Sequence, residues 1–375
     1  TRKHHSMKTA VVILNWNTVQ YLEKFLPGLL ASMPSDAEVI VADNASTDGS
    51  MDMLSAKFPS VRQIRLDRNY GFTGGYNRAF QAIRSLPDAD GLTYFLLINS
   101  DIEVSPGWLE PLVEWMDNHP GCAACGPKLR SYFRKDLFEY AGAAGGLLDR
   151  FGYPFCRGRV LRRVEQDTGQ YDSPADVFWV TGACLLVRKQ LFEEMEGLDE
   201  RFFAHMEEID LCWRLQLEGY RVTVVPRSVV YHLGGGTLPN HSPWKLKLNY
   251  RNNLLILENN LAKTYALKKQ ETGFAPEIAA KIACREARLT LFFRKVLDVC
   301  SAVVYLLTGK LDYFRSVREA HKEFRRARHG IRPEKVRSFL EHHPDIPAPA
   351  LFPRWIVWHA LTKGDRIFEY LRKKV

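Results

Sequence analysis

The chain has 375 residues, of which 46% are hydrophobic and 25% are charged. This length allows one large or two ordinary domains, and the composition excludes an intrinsically disordered protein. The net charge of +9 is unevenly distributed, because residues 245–375 hold 27 Lys and Arg against 13 Asp and Glu, and the remainder holds 25 against 30. A basic rear part suggests an anionic partner for that part of the chain.

The start of the chain and the length of its apolar runs together predict where the protein resides. Residues 1–6 include His4 and His5 ahead of Met7, so we expect a tag remnant and a natural start at Met7. We predict neither a secretory signal nor a membrane span, because no apolar run reaches the roughly 18 to 20 residues that a span needs. We therefore expect a cytoplasmic protein.

The cysteines do not predict a metal or redox site. Cys122 and Cys125 are the only CxxC pair among seven cysteines, and buried free thiols are favoured over a zinc or redox site.

Strands and helices alternate through the first hundred residues. Apolar runs predict strands at 9–14, 38–42, 61–66 and 92–98, and helical patterns occupy 21–32, 50–58 and 76–85. This alternation predicts an α/β fold with a largely parallel sheet covered on both faces. Further signals predict a strand pair within 177–187, a helix at 207–218, strands at 221–225 and 229–231, and basic helices from 244 onward.

Polar residues follow the predicted strands where each strand ends. They are Asn15, Asp43, Asn69 (in an equivalent turn) and Asp101. Because ligands of open α/β sheets bind outside the carboxyl ends of the strands, we expect these residues to converge on one crevice. Asp43 suits either the imide N–H of a pyrimidine base or a turn and helix cap. The glycines that follow Asn69 suit either a phosphate at a helix start or tight packing.

Two further residues are candidate metal ligands. Asp101 ends the segment Asn99-Ser100-Asp101, where a carboxylate can hold Mg²⁺ or Mn²⁺ on a diphosphate. The alternative is that Asp101 caps a helix that begins soon after Ser105. His232 ends a strand ahead of the Gly-rich loop 234–237 and is interpreted either as a ligand or as a structural histidine.

Three carboxylates, Glu207, Glu208 and Asp210, begin a predicted amphipathic helix. Acids favour a helix N-terminus electrostatically, and Asp210 and Arg214 are spaced for an i,i+4 ion pair. Acids clustered beside the apolar Phe202–Phe203 can also raise one pKa toward that of a general base. The pattern leaves both interpretations open.

Together these motifs resemble the inverting family 2 glycosyltransferases with a GT-A fold, and most closely the bacterial rhamnosyltransferase-like branch. The resemblance spans roughly Val11 to Asn253. It rests on Val12–Asn17, Ala42–Ser50, Asn69–Phe72, Asn77, Leu97–Asp101, Thr181–Ala183, Gly197–Glu200, Glu207–Asp210, His232 and Arg251–Asn252.

The resemblance implies a mostly parallel, Rossmann-like GT-A sheet flanked by helices in residues 7–243. Residues of about 7–105 would bind a nucleotide sugar, residues of about 106–243 would bind the acceptor, and 244–375 would form a basic helical region. The implied reaction moves a sugar from a nucleoside diphosphate to a saccharide or lipid-linked acceptor in surface polysaccharide synthesis, with inversion. The first choice of donor is dTDP-rhamnose and the next is a UDP-hexose.

The resemblance also implies a role for individual residues. The donor would contact Asn15, Asp43, Arg68, Asn69, Gly71, Asn77, Asn99 and Ser100. The acceptor would contact Trp179, Thr181 and Gly182. Asp101 with His232 would hold Mg²⁺ or Mn²⁺, and Glu208 would be the general base. The chain departs from the family pattern in having one acid in Asn99-Ser100-Asp101 and Glu instead of Asp at 208. Glu207 and Asp210 therefore stay as alternative bases.

The basic rear part and the rival functions leave further alternatives. Basic residues interleaved with aromatic residues fit attachment to the anionic inner face of the plasma membrane, and the alternative is a helical bundle with a solvated basic face. No nucleic-acid partner is predicted, because no recognised binding motif accompanies the charge.

Two rival functions are also considered for the chain. They are a non-catalytic nucleotide-sugar or carbohydrate-binding protein and a nucleotidyltransferase. The latter would need a basic, Gly-rich phosphate loop where Asn15–Thr18 stands.

Overall fold

The computed structural model of the protein describes residues 7–234 and 242–374. Its front part alternates strands with helices up to β4, as the apolar periodicity predicts. The elements are β1 (Thr9–Asn15), α1 (Val19–Ala31), β2 (Ala37–Asp43), α2 (Ser50–Lys57), β3 (Arg62–Arg65), α3 (Gly71–Arg84), β4 (Tyr94–Ile98), β5 (Ile102–Val104) and α4 (Glu110–Asn118). Successive residues of β1 and β4 are buried on both faces, which a sheet covered by two helical layers requires.

The middle of the chain completes this sheet and adds a small second one. Its elements are β6 (Cys122–Ser131), β7 (Gly146–Leu148), β8 (Pro154–Cys156), β9 (Arg159–Val160), β10 (Arg163–Val164), β11 (Ala175–Asp176), β12 (Cys184–Arg188), α5 (Lys189–Glu194), α6 (Glu207–Leu217) and β13 (Arg221–His232). The main sheet has the order β11-β13-β6-β12-β4-β1-β2-β3, with β5 paired to β13. β1 to β4 pair in parallel, whereas β12 is antiparallel to both of its neighbours. The predicted α/β fold is confirmed.

The rear part is helical, as predicted. It contains α7 (Pro243–Glu271), α8 (Pro276–Leu307), α9 (Leu311–Ala327), α10 (Pro333–His342), α11 (Ile356–Lys363) and α12 (Ile367–Arg372). α7 packs against α6, where the indole N–H of Trp213 donates to Thr264 Oγ1 at 2.8 Å. One hydrophobic core therefore runs from the sheet into α7, α8 and α10. No helix of the described residues is long and apolar enough to cross a membrane.

Three predicted elements differ from the structure. The helix predicted from residue 76 begins at Gly71, so it includes the glycines that were interpreted as a preceding turn. The strand pair predicted within 177–187 is a single strand, β12. The strands predicted at 221–225 and 229–231 are one strand, β13, with a register shift between Val225 and Val229. Each difference comes from tertiary pairing that local patterns do not record.

The cysteines and the C-terminus complete the architecture. All seven cysteines are free thiols, and six are buried as predicted, whereas Cys300 is exposed. The helices α11 and α12 pack on the small sheet formed by β7 to β10. Asp149 joins the two parts, because its carboxylate accepts the backbone N–H of Ile356 at 2.9 Å. The last helices therefore cover the small sheet.

Candidate active site

The ends of β1 and β2 place Asn15 and Asp43 side by side. Asn15 Nδ2 donates to Asp43 Oδ1 at 2.8 Å, and the backbone N–H of Ser46 donates to Asp43 Oδ2 at 3.0 Å. Ile13 of β1 is paired with Ile98 of β4, so the segment that leads to Asp101 leaves the sheet at the same edge. The predicted convergence of these strand ends is observed. The turn role of Asp43 is also observed, and its contact with a base stays a prediction.

A second polar cluster lies on the segment between β3 and α3. Asn44 Nδ2 donates to Asn69 Oδ1 at 3.0 Å, and Asn44 Oδ1 accepts the backbone N–H of Tyr70 at 2.9 Å. The guanidinium group of Arg68 lies 4.7 Å from the centroid of the Tyr70 ring. Arg68 and Asn69 are both exposed, but Asn69 Oδ1 already accepts hydrogen bonds from Asn44 and Gly71. A donor contact at Arg68 and Asn69 stays a prediction.

The start of α3 is occupied by protein groups and does not present a free phosphate site. The N–H groups of Phe72 and Thr73 donate to the carbonyl oxygen of Phe203 at 2.7 and 3.2 Å, and that of Gly71 donates to Asn69 Oδ1 at 2.8 Å. Gly71 has φ +72°, and a Cβ there would lie 2.6 Å from the Phe203 ring. The phosphate interpretation of this Gly-rich segment is therefore corrected in favour of tight packing.

Asn77 connects α3 to the segment before α6. Its Nδ2 donates to the carbonyl oxygen of Leu198 at 2.8 Å, and its Oδ1 accepts the N–H of Leu198 at 2.9 Å. Both ends of the amide are therefore used by one backbone unit. The structure gives Asn77 a structural role, in contrast to the donor contact that the resemblance implies.

Asp101 and His232 are brought together, as the two predicted metal ligands should be. Because β13 pairs antiparallel with β5, His232 Nε2 lies 3.2 Å from Asp101 Oδ1. His232 Nδ1 lies 3.3 Å from Glu139 Oε2, but without the angle of a hydrogen bond. Burial lowers the pKa of His232, and the charges and contacts of Glu139 and Asp101 outweigh it and raise that pKa to about 10. This position therefore favours a positive charge.

Asp101 does not cap a helix. It is followed directly by β5, and α4 begins only at Glu110, so the capping alternative is wrong. Within residues 7–234 and 242–374, no three His, Cys, Asp or Glu side chains are arranged as a complete metal site. Asn99 is tied to the sheet by its backbone N–H, which donates to the carbonyl oxygen of Ala183 at 2.9 Å. Ser100 beside it is buried.

The segment before α6 is held in an unusual conformation by α7. Phe203, His205 and Met206 all have positive φ, at 64°, 71° and 72°. Such conformations cost of order 1–3 kcal/mol each and persist only where the surroundings enforce them. The side-chain amide of Asn252 donates to the carbonyl oxygens of Phe202, Ala204 and His205, at 3.0, 2.8 and 2.7 Å. Asn252 thus fixes the segment that leads to the acids.

Glu207 and Glu208 lie side by side at the start of α6 with unusual carboxylates. Each has an Oε2 that is enclosed yet finds no hydrogen-bond partner in the described part of the chain. Burial, and then the charge of Glu208, raises the pKa of Glu207 well above its ordinary value. Burial also raises the pKa of Glu208, but backbone N–H groups, including those of Glu208 and Gly182, oppose this. Glu208 is therefore the better placed of the two to carry a charge.

Asp210 is fully engaged in the structure. Its Oδ2 accepts Arg214 Nε at 2.7 Å, which confirms the i,i+4 pair, and its Oδ1 accepts the amides of Asn259 and Asn260, both at 2.9 Å. The Asp210 side chain is completely buried. It fastens α6 to α7, so the structure removes Asp210 from the candidate bases.

The predicted acceptor residues have different surroundings. Trp179 is only 3% exposed, and its indole N–H donates to the carbonyl oxygen of Leu147 at 3.0 Å, so its role is packing and not the acceptor contact that the resemblance implies. Thr181 is buried, with its Oγ1 accepting the N–H of Ala183 at 3.2 Å. Gly182 adjoins the acids, because a Cβ there would lie 3.5 Å from Glu208 Cβ. An acceptor contact at Thr181 and Gly182 stays a prediction.

The structure places three residues at this site that the sequence analysis did not identify as site residues. Glu139 lies in the weakly patterned segment 127–176, so nothing local signals its approach to His232. His205 is half-buried, and its enclosed Nε2 has no partner among the residues described. Desolvation, followed by the charge of Lys245, lowers the pKa of His205 to about 4. Asn252 belongs to one of the motifs on which the family resemblance rests, but no functional role was assigned to it. Loop 235–237, predicted after His232, lies outside the described residues.

A mixed sheet whose front strands β1 to β4 are parallel, with polar residues at its strand ends and a pair of acids at the start of α6, is typical of glycosyltransferases of the GT-A type. The fold is similar to that in the crystal structure of GalNAc-T7 with UDP, GalNAc and Mn²⁺. That comparison has a TM-score of 0.51 and 17% identity, and it covers 72% of this chain and 52% of that chain, so this chain spans about half of its length.

The model of glycosyl transferase family 2 matches residues 10–195, and the chain belongs to this family. An N-acetylglucosaminyl-diphospho-decaprenol L-rhamnosyltransferase of Mycobacterium tuberculosis (strain ATCC 25618 / H37Rv) is 29% identical over 233 residues, covering 59% of this chain and 75% of the relative. Rhamnosyltransferase WbbL of Escherichia coli (strain K12) is 25% identical over 249 residues, covering 64% and 90%. The chain is thus a rhamnosyltransferase-like member of the family.

Proposed function

We propose that the protein transfers a sugar, with inversion, from a nucleoside diphosphate donor to a hydroxyl of a saccharide or lipid-linked acceptor in surface polysaccharide synthesis. The observation that carries the proposal is the pair of enclosed, unpartnered carboxylate oxygens on Glu207 and Glu208. Buried polar atoms are nearly always hydrogen-bonded, so an unpartnered pair of carboxylate oxygens at the start of α6 is what an incoming hydroxyl would satisfy. dTDP-rhamnose is the first choice of donor, because two relatives are named rhamnosyltransferases. A UDP-hexose is the next.

The proposed reaction is a single displacement. The Glu208 carboxylate accepts the proton of the acceptor hydroxyl as its oxygen forms a bond to the anomeric carbon. The bond from that carbon to the diphosphate oxygen breaks on the opposite face, and its electron pair leaves with the nucleoside diphosphate. The proton therefore ends on Glu208, and the electron pair of the broken bond ends on the nucleoside diphosphate. Because the new bond forms on the face opposite the leaving group, the anomeric configuration inverts.

Glu208 lies next to the donor edge of the sheet. It contacts the position of Gly182, and the adjacent Ala183 accepts the backbone N–H of Asn99. The segment Asn99-Ser100-Asp101 then leads directly to the Asp101 carboxylate. A donor diphosphate held at Asp101 would therefore have its sugar close to Glu208. This adjacency supports the assignment of Glu208 as the base.

Asp101 and His232 suit a divalent cation. They are close enough to share one ion, they are buried, and Glu139 adds a second carboxylate behind His232. Mg²⁺ or Mn²⁺ held there would neutralise the charge that develops on the leaving diphosphate. Two protein ligands leave further coordination positions to oxygens of the donor. The structure of GalNAc-T7 contains Mn²⁺ together with UDP.

Two measurements test the proposal. The first is a thermal-shift panel of dTDP-rhamnose, UDP-hexoses and the free nucleotides, with and without Mn²⁺, because a ligand that binds the native state raises the melting temperature. The second is a transfer assay with the stabilising donor and a lipid-linked saccharide, with the anomeric configuration of the product read by NMR. A donor that binds without any transfer or hydrolysis supports the non-catalytic alternative, and retention of configuration contradicts a single displacement.

A further inference from the structure

The second half of α8 has an inverted polarity. Its buried face carries Arg294 and Asp298, which are 4% and 0% exposed and form an ion pair at 2.9 Å. Its exposed face carries the large apolar side chains of Leu289, Phe292, Phe293, Val296, Val299, Val303, Val304, Leu306 and Leu307. None of the exposed residues between 289 and 307 is charged. We call these nine side chains the apolar face of α8. A contiguous patch of this kind marks an interaction surface.

A basic cleft adjoins this apolar face. It has a volume of about 960 Å³ and lies between the start of α7, α8 and α9. Val299 and Val303 line one side of it. The exposed basic residues that line the other side, on α9, are Arg315, Arg318, Lys322 and Arg325, with Glu319 among them. Apolar and cationic surface therefore meet at one edge.

We propose that the apolar face of α8 and the basic cleft together dock on a bilayer that contains anionic lipids. Apolar side chains bury into the boundary between headgroups and acyl chains, and neighbouring Lys and Arg side chains attract lipid phosphates. Each basic residue near such a surface contributes about a fivefold gain in partitioning. A second copy of the chain fits less well, because a symmetric contact through α8 would bring the two basic clefts toward each other.

The docking surface is connected to the segment that precedes the two acids. Lys247 and Arg251 of α7 pair with Glu323 of α9 at 2.6 and 3.0 Å. Arg251 also donates to the carbonyl oxygen of Phe202 at 2.7 Å, ahead of Glu207. Docking would therefore hold α7 and the segment ahead of Glu207 at the bilayer, and use of an acceptor carried there is a consequence that rests on the proposed function. Binding to the bilayer itself does not.

Vesicle flotation of the full chain tests the proposal. We expect the protein to float with vesicles that contain phosphatidylglycerol and to remain with the unbound fraction when the vesicles are pure phosphatidylcholine. The double variant Arg315→Glu/Arg318→Glu should lower partitioning by about 25-fold or more, because two attractive charges are reversed. Phe292→Ser/Phe293→Ser should lower it by about tenfold or more, because exposed aromatic area is lost.

Matched controls lie near the opposite end of α8. Lys281→Glu/Arg285→Glu changes the net charge equally, and Phe274→Ser with Ile278→Ser removes comparable exposed apolar area, at 42% and 51% exposure. Both controls should float like the natural chain. Equal flotation of test and control variants, or no flotation of the natural chain, would overturn the proposal. A dimer in solution that Phe292→Ser/Phe293→Ser dissociates, without vesicle binding, would assign the surface to a second copy. Solution turnover on a water-soluble acceptor reports the proposed function separately.

Discussion

His232 Nε2 lies 3.2 Å from Asp101 Oδ1, although the two residues are far apart in the chain. The contact follows from the antiparallel pairing of β13 with β5, in which His232 stands opposite Ile102. Glu139 lies on the other side of the imidazole, so two carboxylates surround one ring. The raised pKa of His232 shows that this position stabilises positive charge, and a bound divalent cation would supply it.

Glu139→Gln should therefore weaken Mn²⁺ binding. A partner behind a ligating histidine typically contributes about 10- to 100-fold in metal affinity, and Asp101→Asn should cost at least as much because it removes a ligand. Isothermal titration calorimetry with Mn²⁺, in the presence of the nucleoside diphosphate, measures the Mn²⁺ affinity of both variants. Asp136→Asn, on an exposed carboxylate that pairs with Arg134, is the control and should bind Mn²⁺ normally. Unchanged Mn²⁺ affinity in Asp101→Asn would exclude this site.

The two adjacent acids at the start of α6 should respond differently to removal of their charge. Glu208→Gln should keep donor binding and lose about 10²- to 10⁴-fold in turnover, the usual contribution of a general base. Glu207→Gln should retain much more activity, because burial and the charge of Glu208 already favour its protonated form. Measured kcat and donor Kd for both variants decide between them. Near-normal turnover of Glu208→Gln would remove Glu208 from this role.

Turnover should fall on the acidic side at a higher pH than an ordinary glutamate would cause. Burial raises the pKa of Glu208 above its usual value, and the carboxyl must be deprotonated to accept the hydroxyl proton. Activity is therefore present above the raised pKa and is lost as the pH falls through it. A profile of kcat/KM against pH measures the midpoint, and circular dichroism over the same range checks that the fold persists. An acid limb at the ordinary glutamate pKa would contradict a buried base.

Much of the front of the molecule could be predicted because its signals are local. The apolar runs predict β1, β2 and β4, and the spacing of Asp210 and Arg214 predicts an ion pair that the structure contains. The position of the polar residues at strand ends predicts which of these residues lie at the same edge of the main sheet. These features depend on hydrophobic periodicity and on the alternation of strands with helices, which the sequence records directly.

The remaining features depend on contacts between distant segments. α3 begins at Gly71 because the Phe203 carbonyl satisfies its first N–H groups, and no local pattern reports that contact. The resemblance implies an acceptor contact for Trp179, but the Trp179 ring is covered where it packs on Gly146. Glu139 reaches His232 from a segment without clear periodicity. The sequence thus locates the edge of the candidate active site better than it locates the side chains that complete it.

Asn252→Ala should destabilise the fold and slow transfer together. The variant removes the amide that bonds to three carbonyl oxygens of the segment before Glu207, and unpaired buried carbonyls cost about 1–3 kcal/mol. Urea unfolding and kcat measure the two effects. Asn118→Ala, at an exposed position on α4, should stay within about 0.5 kcal/mol of the natural chain. A stable Asn252→Ala variant with full activity would show that this segment holds its conformation without α7.

Arg294→Met should destabilise the protein by about 3–5 kcal/mol, because it leaves the buried Asp298 carboxylate without its main positive partner. His321 Nε2, at 3.1 Å from Asp298 Oδ2, would retain part of the compensation. Arg294→Met/Asp298→Leu should lose less stability than Arg294→Met alone, since no unpaired charge then remains in the core. A double-mutant cycle in urea isolates the pair, with the exposed Lys281→Met/Glu277→Leu pair, also i,i+4 on α8, as the matched control. Strictly additive losses at Arg294 and Asp298 would show that the two side chains are not coupled, and the ion pair would then not explain why α8 buries charge and exposes apolar surface.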